Sequence, residues 1–142
     1  MTYIDASAII AILNQEPDWR RFKQAIEEEP EELLVSSLAI FEAAAGLAKA
    51  RLGGAKRKNT PFELERAHAA VRAFTESLDV REIAITSEIG RLAIEAAAKY
   101  GKAVGHPAAL NFGDCFAYAC ARFHHTSLLF KGDDFSKTDI AK

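Results

Sequence analysis

The sequence predicts an α/β fold in three layers, with a mostly parallel central sheet flanked by helices. Short apolar runs that suit buried strands alternate along the chain with longer runs of helical periodicity. The first apolar run continues directly into a helical run, as at the start of a βαβ unit. Parallel strands need helical crossovers of this kind, so the alternation favours a parallel sheet.

The predicted elements follow one another in the order expected for such units. Apolar runs predict strands at residues 3–4, 33–35, 83–85 and 128–130. Apolar residues at helical spacing predict helices that contain residues 6–13, 17–26, 38–52, 61–78, 89–100 and 114–123. We find no repeat and no composition shift, so the chain is expected to form a single domain over residues 1–142.

Local signals indicate where several of these helices begin. Either Ser36 or Ser37 is expected to cap the third helix, and either Thr86 or Ser87 the fifth. The segment Thr60-Pro61-Phe62-Glu63 combines a capping box with proline at the first helical position, which is a strong start signal.

The overall composition is that of an ordinary soluble protein, with 49% hydrophobic and 27% charged residues. The net charge of −2 provides no overall positive field for nucleic acid or anionic lipid, so nucleic-acid binding would need a local basic patch. No secretion signal precedes the first strand, and no apolar stretch approaches the roughly 18 residues of a membrane span. We therefore expect a cytoplasmic protein that does not bind membranes.

Carboxylates at the ends of the predicted elements mark the candidate site. Asp5 follows the first strand and the pair Asp133-Asp134 follows the fourth, so these acids would face the crevice beyond the carboxyl ends of a parallel sheet. Asp114 is interpreted as the first residue of the last helix, where a carboxylate also caps free backbone N–H groups.

Glu42 interrupts an otherwise apolar helix. Its position lies about 100° around the helix from Phe41 and is expected to lean toward the crevice. The predicted apolar stripe of this helix consists of Leu38, Phe41, Ala45, Ala48 and Leu52.

Several acids that converge from distant parts of a chain repel one another unless a cation is present. Oxygen ligands suit hard divalent cations such as Mg²⁺ or Mn²⁺, and such a site can activate water and screen a phosphodiester. Taken singly, each acid also has a simpler interpretation. Asp5 and Asp114 are each consistent with a helix cap. Glu42 is consistent with a residue at the boundary of the core, and Asp133-Asp134 with an ordinary turn.

Three segments carry a resemblance to a known family, namely residues 3–8 (Tyr3-Ile4-Asp5-Ala6-Ser7-Ala8), 109–118 and 128–140. They resemble the PIN domain of VapC toxins over essentially the whole chain. The resemblance implies a ribonuclease that depends on Mg²⁺, or alternatively Mn²⁺, and acts as the toxin of a type II toxin–antitoxin pair. It also implies a homodimer that is inhibited by a small VapB-type antitoxin, whose tail enters the groove.

The resemblance also implies roles for individual residues. Asp5, Glu42 and Asp114 match the acidic triad of the family, which makes them the expected metal ligands and catalytic acids. A fourth acid is usual, and the motif does not separate Asp133 from Asp134. Ser7 matches the small hydroxyl residue that supports the site.

One segment departs from compact members of the family. Residues 53–74 are longer than expected, and basic residues are concentrated around the start of the segment. These cations would either steer an RNA phosphate backbone toward the acidic site or form a solvated loop. They are Lys49, Arg51, Lys56, Arg57 and Lys58.

Two other functions stay open at this point. A Mg²⁺-binding, receiver-like signalling module is also a small α/β domain with acids at strand ends. Its adjacent acidic pair would follow the first strand, whereas this chain has a lone Asp5 there and its pair last. A catalytically silent PIN-like binding module is the second alternative, and the intact set of acids argues against it.

Overall fold

Four short parallel strands form the centre of the fold. The computed structural model describes residues 1–141, and Lys142, the last residue of the predicted domain, lies outside the described residues. The strands are β1 (Thr2–Ile4), β2 (Leu33–Ser36), β3 (Arg81–Ile83) and β4 (Ser127–Leu129). The helices are α1 (Ala6–Leu13), α2 (Trp19–Glu27), α3 (Ser37–Ala50), α4 (Pro61–Ser77), α5 (Ser87–Tyr100) and α6 (Phe112–Phe123). Three 3₁₀ turns, Lys102–Val104, Asp134–Lys137 and Asp139–Ala141, complete the described elements.

The strand order is β3-β2-β1-β4, and every strand pair is parallel. The chain moves outward from β1 through β2 to β3 and then returns across the sheet to β4. The direction of winding therefore reverses beside β1, between its neighbours β2 and β4. In open parallel sheets a ligand crevice forms at such a reversal, beyond the carboxyl ends of the strands.

The helices form two groups, and the helices of each group pack against one another. Helices α1 to α4 contact each other, as do α5 and α6. Because crossovers between parallel strands are right-handed, the reversal of direction puts the two groups on opposite faces of the sheet. The three-layer α/β prediction is thus confirmed. Within residues 1–141, none of the helices combines the length and the apolar character that a membrane crossing requires.

Two predicted strands end earlier in the structure than the sequence suggested. The third was expected at residues 83–85 but spans Arg81–Ile83, and the fourth was expected at 128–130 but spans Ser127–Leu129. The partner strands explain both shifts. Ile83 pairs with Ser36 and Leu129 with Ile4, which are the last residues of β2 and β1. Residues 84, 85 and 130 have no strand beside them to continue the ladder.

The predicted apolar stripe of α3 is wrong at its centre. Phe41 is 70% exposed, and the buried face consists mainly of small residues. Small residues let α3 approach α1 closely, and a Cβ atom at Gly46 would collide with the Ile10 side chain. The prediction placed large apolar side chains on the buried face, whereas the close packing of α3 on α1 requires small ones. The buried residues of α3 are Ala39, Ile40, Ala43, Ala44, Leu47 and Ala48.

A buried hydrogen bond joins the first two strands beneath the crevice. The Tyr3 hydroxyl and Ser36 Oγ lie 2.7 Å apart, and both side chains are fully buried. Ser36 Oγ also accepts a hydrogen bond from the Ala39 backbone N–H at 3.2 Å, which makes Ser36 the N-cap of α3. This one hydroxyl therefore serves both the core and the start of the helix that carries Glu42.

We predict that Ser36→Ala lowers the free energy of unfolding by about 1–3 kcal/mol, because it removes the cap and leaves the Tyr3 hydroxyl without its buried partner. Urea denaturation measures the effect. Ser77→Ala is the matched control, since the exposed Ser77 hydroxyl only donates to the Phe74 carbonyl within α4. It should change stability by less than about 0.5 kcal/mol. Equal losses in the two variants would contradict the role assigned to Ser36.

Candidate active site

Asp5 occupies the junction between β1 and α1 and is the most buried acid of the candidate site, with 6% of its surface exposed. Its backbone N–H donates to the Leu129 carbonyl at 2.9 Å, which ties the ends of β1 and β4 together. Its side chain is the N-cap of α1 and accepts a hydrogen bond from the Ser7 backbone N–H at 3.0 Å. Asp5 therefore lies at the point where the winding of the sheet reverses.

Ser7 links this carboxylate to the segment after β4. Its hydroxyl donates to Asp5 Oδ2 at 2.5 Å and accepts from the Lys131 backbone N–H at 2.9 Å. The Lys131 ammonium is held by Glu16 and Asp18, at 2.6 and 3.2 Å. These contacts fix the orientation of the Asp5 carboxylate and the path of the chain toward Asp133 and Asp134.

The Glu42 carboxylate lies against the backbone of α6. A Cβ atom added at Gly113 would overlap both carboxylate oxygens of Glu42, so glycine is the residue that leaves room for this side chain. Glu42 lies in the second turn of α3, whereas Gly113 lies in the first turn of α6. The structure thus brings Glu42 to the crevice by direct contact between these two helices.

Asp114 is the third residue of α6, not the first as predicted, because the helix begins at Phe112. Asn111 is the N-cap, and the two residues form a reciprocal capping box. Asn111 Oδ1 accepts from the Asp114 backbone N–H at 2.9 Å, and Asp114 Oδ2 accepts from the Asn111 backbone N–H at 3.0 Å. Asp114 therefore caps its helix and also faces the other acids.

The two acids after β4 are both exposed. The charge of Asp134 adds to the burial that raises the pKa of Asp5 and of Asp114. Asp133 precedes the 3₁₀ turn Asp134–Lys137, which Asp134 begins. The Asp133 backbone carbonyl accepts hydrogen bonds from the Ser136 N–H and hydroxyl.

The acids at this edge of the sheet oppose one another's ionisation. Burial, followed by the charges of Asp5 and Asp114, raises the pKa of Glu42 to about 7. Burial also raises the pKa of Asp114 to about 6, with further contributions from Asp5 and Asp134, although the Asn111 N–H lowers it. The pKa of Asp5 is raised by burial and by Asp134, while the hydrogen bonds from Ser7 lower it. Negative charge concentrated in this way favours a bound cation.

Asp5, Glu42 and Asp114 do not form a ready-made cage of three direct ligands. Among residues 1–141, no three His, Cys, Asp or Glu side chains converge closely enough to hold one ion. The Asn111 backbone N–H holds one oxygen of Asp114 toward the cap of α6. Mg²⁺ usually takes one or two carboxylates and keeps several waters, so the residues fit an ion held partly through water.

Sequence reasoning missed two residues that shape this site. Asn111 caps the helix that presents Asp114, and Gly113 makes room for Glu42. The role of Asn111 could have been predicted, because Asn111 and Asp114 have the three-residue spacing of a capping box. The role of Gly113 could not, since glycine is required there only because α3 and α6 meet.

The fold and the site together define a parallel α/β domain with an acidic centre at the carboxyl edge of its sheet. The profile of the PIN domain family matches residues 2–141. The chain belongs to the PIN domain family and, within it, to the VapC ribonucleases. A VapC ribonuclease of Rhizobium meliloti (strain 1021) is 43% identical over 141 residues, covering 99% of each chain. Ribonuclease VapC30 of Mycobacterium tuberculosis (strain H37Rv) is 37% identical over 138 residues, covering 97% of this chain and 95% of that protein.

Two solved structures share the fold at low sequence identity. Mycobacterium tuberculosis VapC20, described as a sarcin-ricin loop cleaving toxin, has a TM-score of 0.69 at 21% identity and covers 96% of this chain and 93% of its own. A toxin–antitoxin complex from Klebsiella pneumoniae has a TM-score of 0.66 at 19% identity and covers 99% and 94%. Both support the three-layer arrangement of the sheet and helices.

We predict that Glu42→Gln stabilises the protein when divalent cations are removed with EDTA. The pKa of this carboxyl rises from its ordinary value near 4.5 to about 7 on folding, so the folded state binds its proton more tightly than the unfolded state does. Stability from this group is therefore present below pH 4.5 and is lost as the pH rises to about 7. At pH 8 the free energy of unfolding of the variant should exceed that of the parent by roughly 1–2 kcal/mol. The gain is modest because Glu42 is partly exposed and solvent screens its charge.

Thermal denaturation in EDTA at pH 4.5 and pH 8 measures this effect, and the difference between variant and parent should appear only at the higher pH. Glu65→Gln on the exposed face of α4 is the control, and it should leave both transitions unchanged. A loss of stability in Glu42→Gln at pH 8 would contradict the repulsion inferred for the site.

Proposed function

We propose that this chain is the toxin of a type II toxin–antitoxin pair and hydrolyses RNA phosphodiester bonds as an endoribonuclease that requires Mg²⁺ or Mn²⁺. One observation carries the proposal: buried Asp5 and the carboxylates of Glu42 and Asp114 share one electrostatic environment beside the reversal of the sheet. The ribonuclease names of relatives at 43% and 37% identity support the reaction.

Asp5 and Asp114 are the residues that we propose hold the cation, with Glu42 and Asp134 completing the acidic centre. Both hydrogen bonds from Ser7 go to Asp5 Oδ2, and the Asn111 N–H donates to Asp114 Oδ2. None of these three bonds uses an Oδ1 atom, which is where an ion or its water would bind. A bound Mg²⁺ or Mn²⁺ would offset the repulsion among these acids, activate water and stabilise charge on the phosphodiester. Ser7 and Asn111 would hold the two carboxylates in place during the reaction.

The partners that we propose are a small VapB-type antitoxin and a second copy of this chain. The antitoxin is supported by the fold shared with a toxin–antitoxin complex. Self-association is supported by a cleft of about 1100 Å³ between α5 and α6. Large apolar side chains are exposed around it, and such patches are typical of protein interfaces. We propose the cytoplasm as the location, because the RNA substrate and an antitoxin would be found there.

The receiver-like alternative fails on family membership, since residues 2–141 match the PIN domain family. It also has no use for Glu42, whose carboxylate lies against α6. The catalytically silent PIN-like module is the remaining alternative, and a cleavage assay separates it from an active enzyme.

Purified protein free of antitoxin should cut RNA with Mg²⁺ or Mn²⁺ and stop cutting when EDTA is added. We expect Asp5→Asn and Asp114→Asn to lower kcat by at least about 100-fold, since each removes a charge that would hold the ion. Cleavage of total RNA, followed on denaturing gels, measures the loss. Full activity of either variant would refute the mechanism.

The two acids after β4 provide a matched pair within the same experiment. Asp134→Asn should reduce cleavage strongly, because the charge of Asp134 acts on Asp5 and Asp114. Asp133→Asn removes the same charge one residue away and should keep most of the activity. The reverse order would assign the fourth acid to Asp133.

We predict that Ile94→Glu converts a dimer to a monomer. Ile94 is 72% exposed and lines the cleft between α5 and α6, so a buried carboxylate there would destabilise an interface. Sedimentation velocity of the parent and the variant measures the change. Ala69→Glu adds the same charge to an exposed position of α4, away from the cleft, and should remain dimeric. A parent that sediments as a monomer would contradict the proposed homodimer.

A further inference from the structure

The longest stretch of this chain without acidic residues is rich in cations, although the protein as a whole carries a net charge of −2. Residues 43–62 contain no Asp or Glu and include five cations. The stretch covers the second half of α3, the connector to α4 and the first helical residues of α4. It is the basic segment that the proposed chemistry has so far left unused.

The cations of this stretch begin on the same face of α3 as Glu42. Lys49 follows Glu42 by seven residues, which is 20° short of two full helical turns and about 10.5 Å along the axis. Ala45 lies between Glu42 and Lys49 on the same face of α3. A substrate lying along this face would therefore meet the acidic centre first and Lys49 about two turns later.

The connector places three further cations beside Lys49. A cleft of about 520 Å³ separates the end of α3 from the connector, and its basic lining is what we call the basic patch. Within residues 1–141, only Arg57 among these cations takes part in an ion pair; it binds Glu63 through two hydrogen bonds of 2.8 and 2.9 Å. The basic patch consists of Lys49, Lys56, Arg57 and Lys58.

Specific contacts hold the connector in this position. Asn59 Nδ2 donates to the Ala48 carbonyl at 2.9 Å, which satisfies a free carbonyl in the last turn of α3. Thr60 and Glu63 form the capping box that starts α4, and Arg57 binds the same Glu63. Residues 57–60 are thereby tied both to the end of α3 and to the start of α4, as expected for a binding surface of defined shape.

We propose that the basic patch is an RNA-binding subsite that holds backbone phosphates to one side of the cleaved bond. Glu42 and Lys49 are separated by about 10.5 Å along the axis of α3, which gives the scale of the distance between the acidic centre and the patch. The subsite positions the substrate and takes no part in the chemical step. It rests on the ribonuclease function proposed above, and it supplies the local positive charge that a protein of net charge −2 needs to bind a polyanion.

The test is the triple variant Lys49→Gln/Lys56→Gln/Lys58→Gln, which leaves the Arg57–Glu63 pair intact. KM for a single-stranded RNA substrate should rise about tenfold while kcat stays within about twofold of the parent. Each phosphate contact contributes about 0.7 to the salt dependence of single-strand binding, so the slope of log(kcat/KM) against log[KCl] should be shallower by about two. Between 50 and 200 mM KCl the parent should therefore lose roughly 10- to 20-fold more activity than the variant.

Lys23→Gln/Arg81→Gln/Lys99→Gln is the matched control, with the same change in net charge at cations on α2, β3 and α5. It should leave KM and the salt slope at the parental values. Equal effects in the two triple variants would overturn the subsite and leave only a general charge effect. Unchanged KM and salt slope in the patch variant would also overturn the subsite. The cations of the patch would then contact a protein partner or solvent.

A binding assay separates failure of this inference from failure of the ribonuclease function. Fluorescence anisotropy with labelled single-stranded RNA is measured on Asp5→Asn protein with and without the patch substitutions. Weaker binding in the patch variant supports the subsite even if the parent cuts no RNA, which would refute the function alone. Equal binding refutes the subsite. The difference in binding should also vanish for oligonucleotides that end at the cleavage position on the patch side and therefore cannot reach the patch.

Discussion

Repulsion among carboxylates at one edge of the sheet is the constraint on which the rest of this structure depends. Asp5 is almost fully buried, and the charges of Asp5, Glu42, Asp114 and Asp134 act on one another. Such an arrangement costs stability unless each acid is anchored by its surroundings. Ser7 anchors Asp5, Asn111 anchors Asp114, and Gly113 leaves the space that Glu42 occupies. The local structure around the site thus holds in place charges that would otherwise separate.

The topology explains why these acids meet although they are far apart in sequence. β1 lies between β2 and β4, so the chain leaves it in one direction and returns on the other side. Asp5 follows β1 directly, and Asp134 lies in the segment after β4. Helices α3 and α6 pack together near the same edge and add Glu42 and Asp114. Small residues on α3 permit the close packing on α1 that places it there.

Much of this arrangement could be predicted from the sequence, because the relevant signals are local. Strand and helix periodicity identified the four strands, and an acid placed directly after a strand indicated the crevice. The features that could not be predicted from the sequence depend on contacts between distant segments. The ends of β3 and β4 are set by their partner strands, and Phe41 is exposed because alanines form the packed face of α3. Gly113 is required only because Glu42 arrives from another helix. Sequence motifs left Asp133 and Asp134 equivalent, and the repulsion that Asp134 exerts on Asp5 and Asp114 favours Asp134 as the proposed fourth acid.

The division of charge within α3 links stability to substrate binding. The first half of the helix carries Glu42 into an acidic centre, and its end carries Lys49 into the basic patch. An RNA backbone is repelled by the first and attracted by the second, so neither half alone would direct a substrate to the cleaved position. A divalent cation would offset part of the negative charge of the acidic centre, and the patch would then position the rest of the strand. Placing both on one rigid helix fixes the distance between them, because an α-helix rises about 1.5 Å for each residue regardless of how the surrounding loops move.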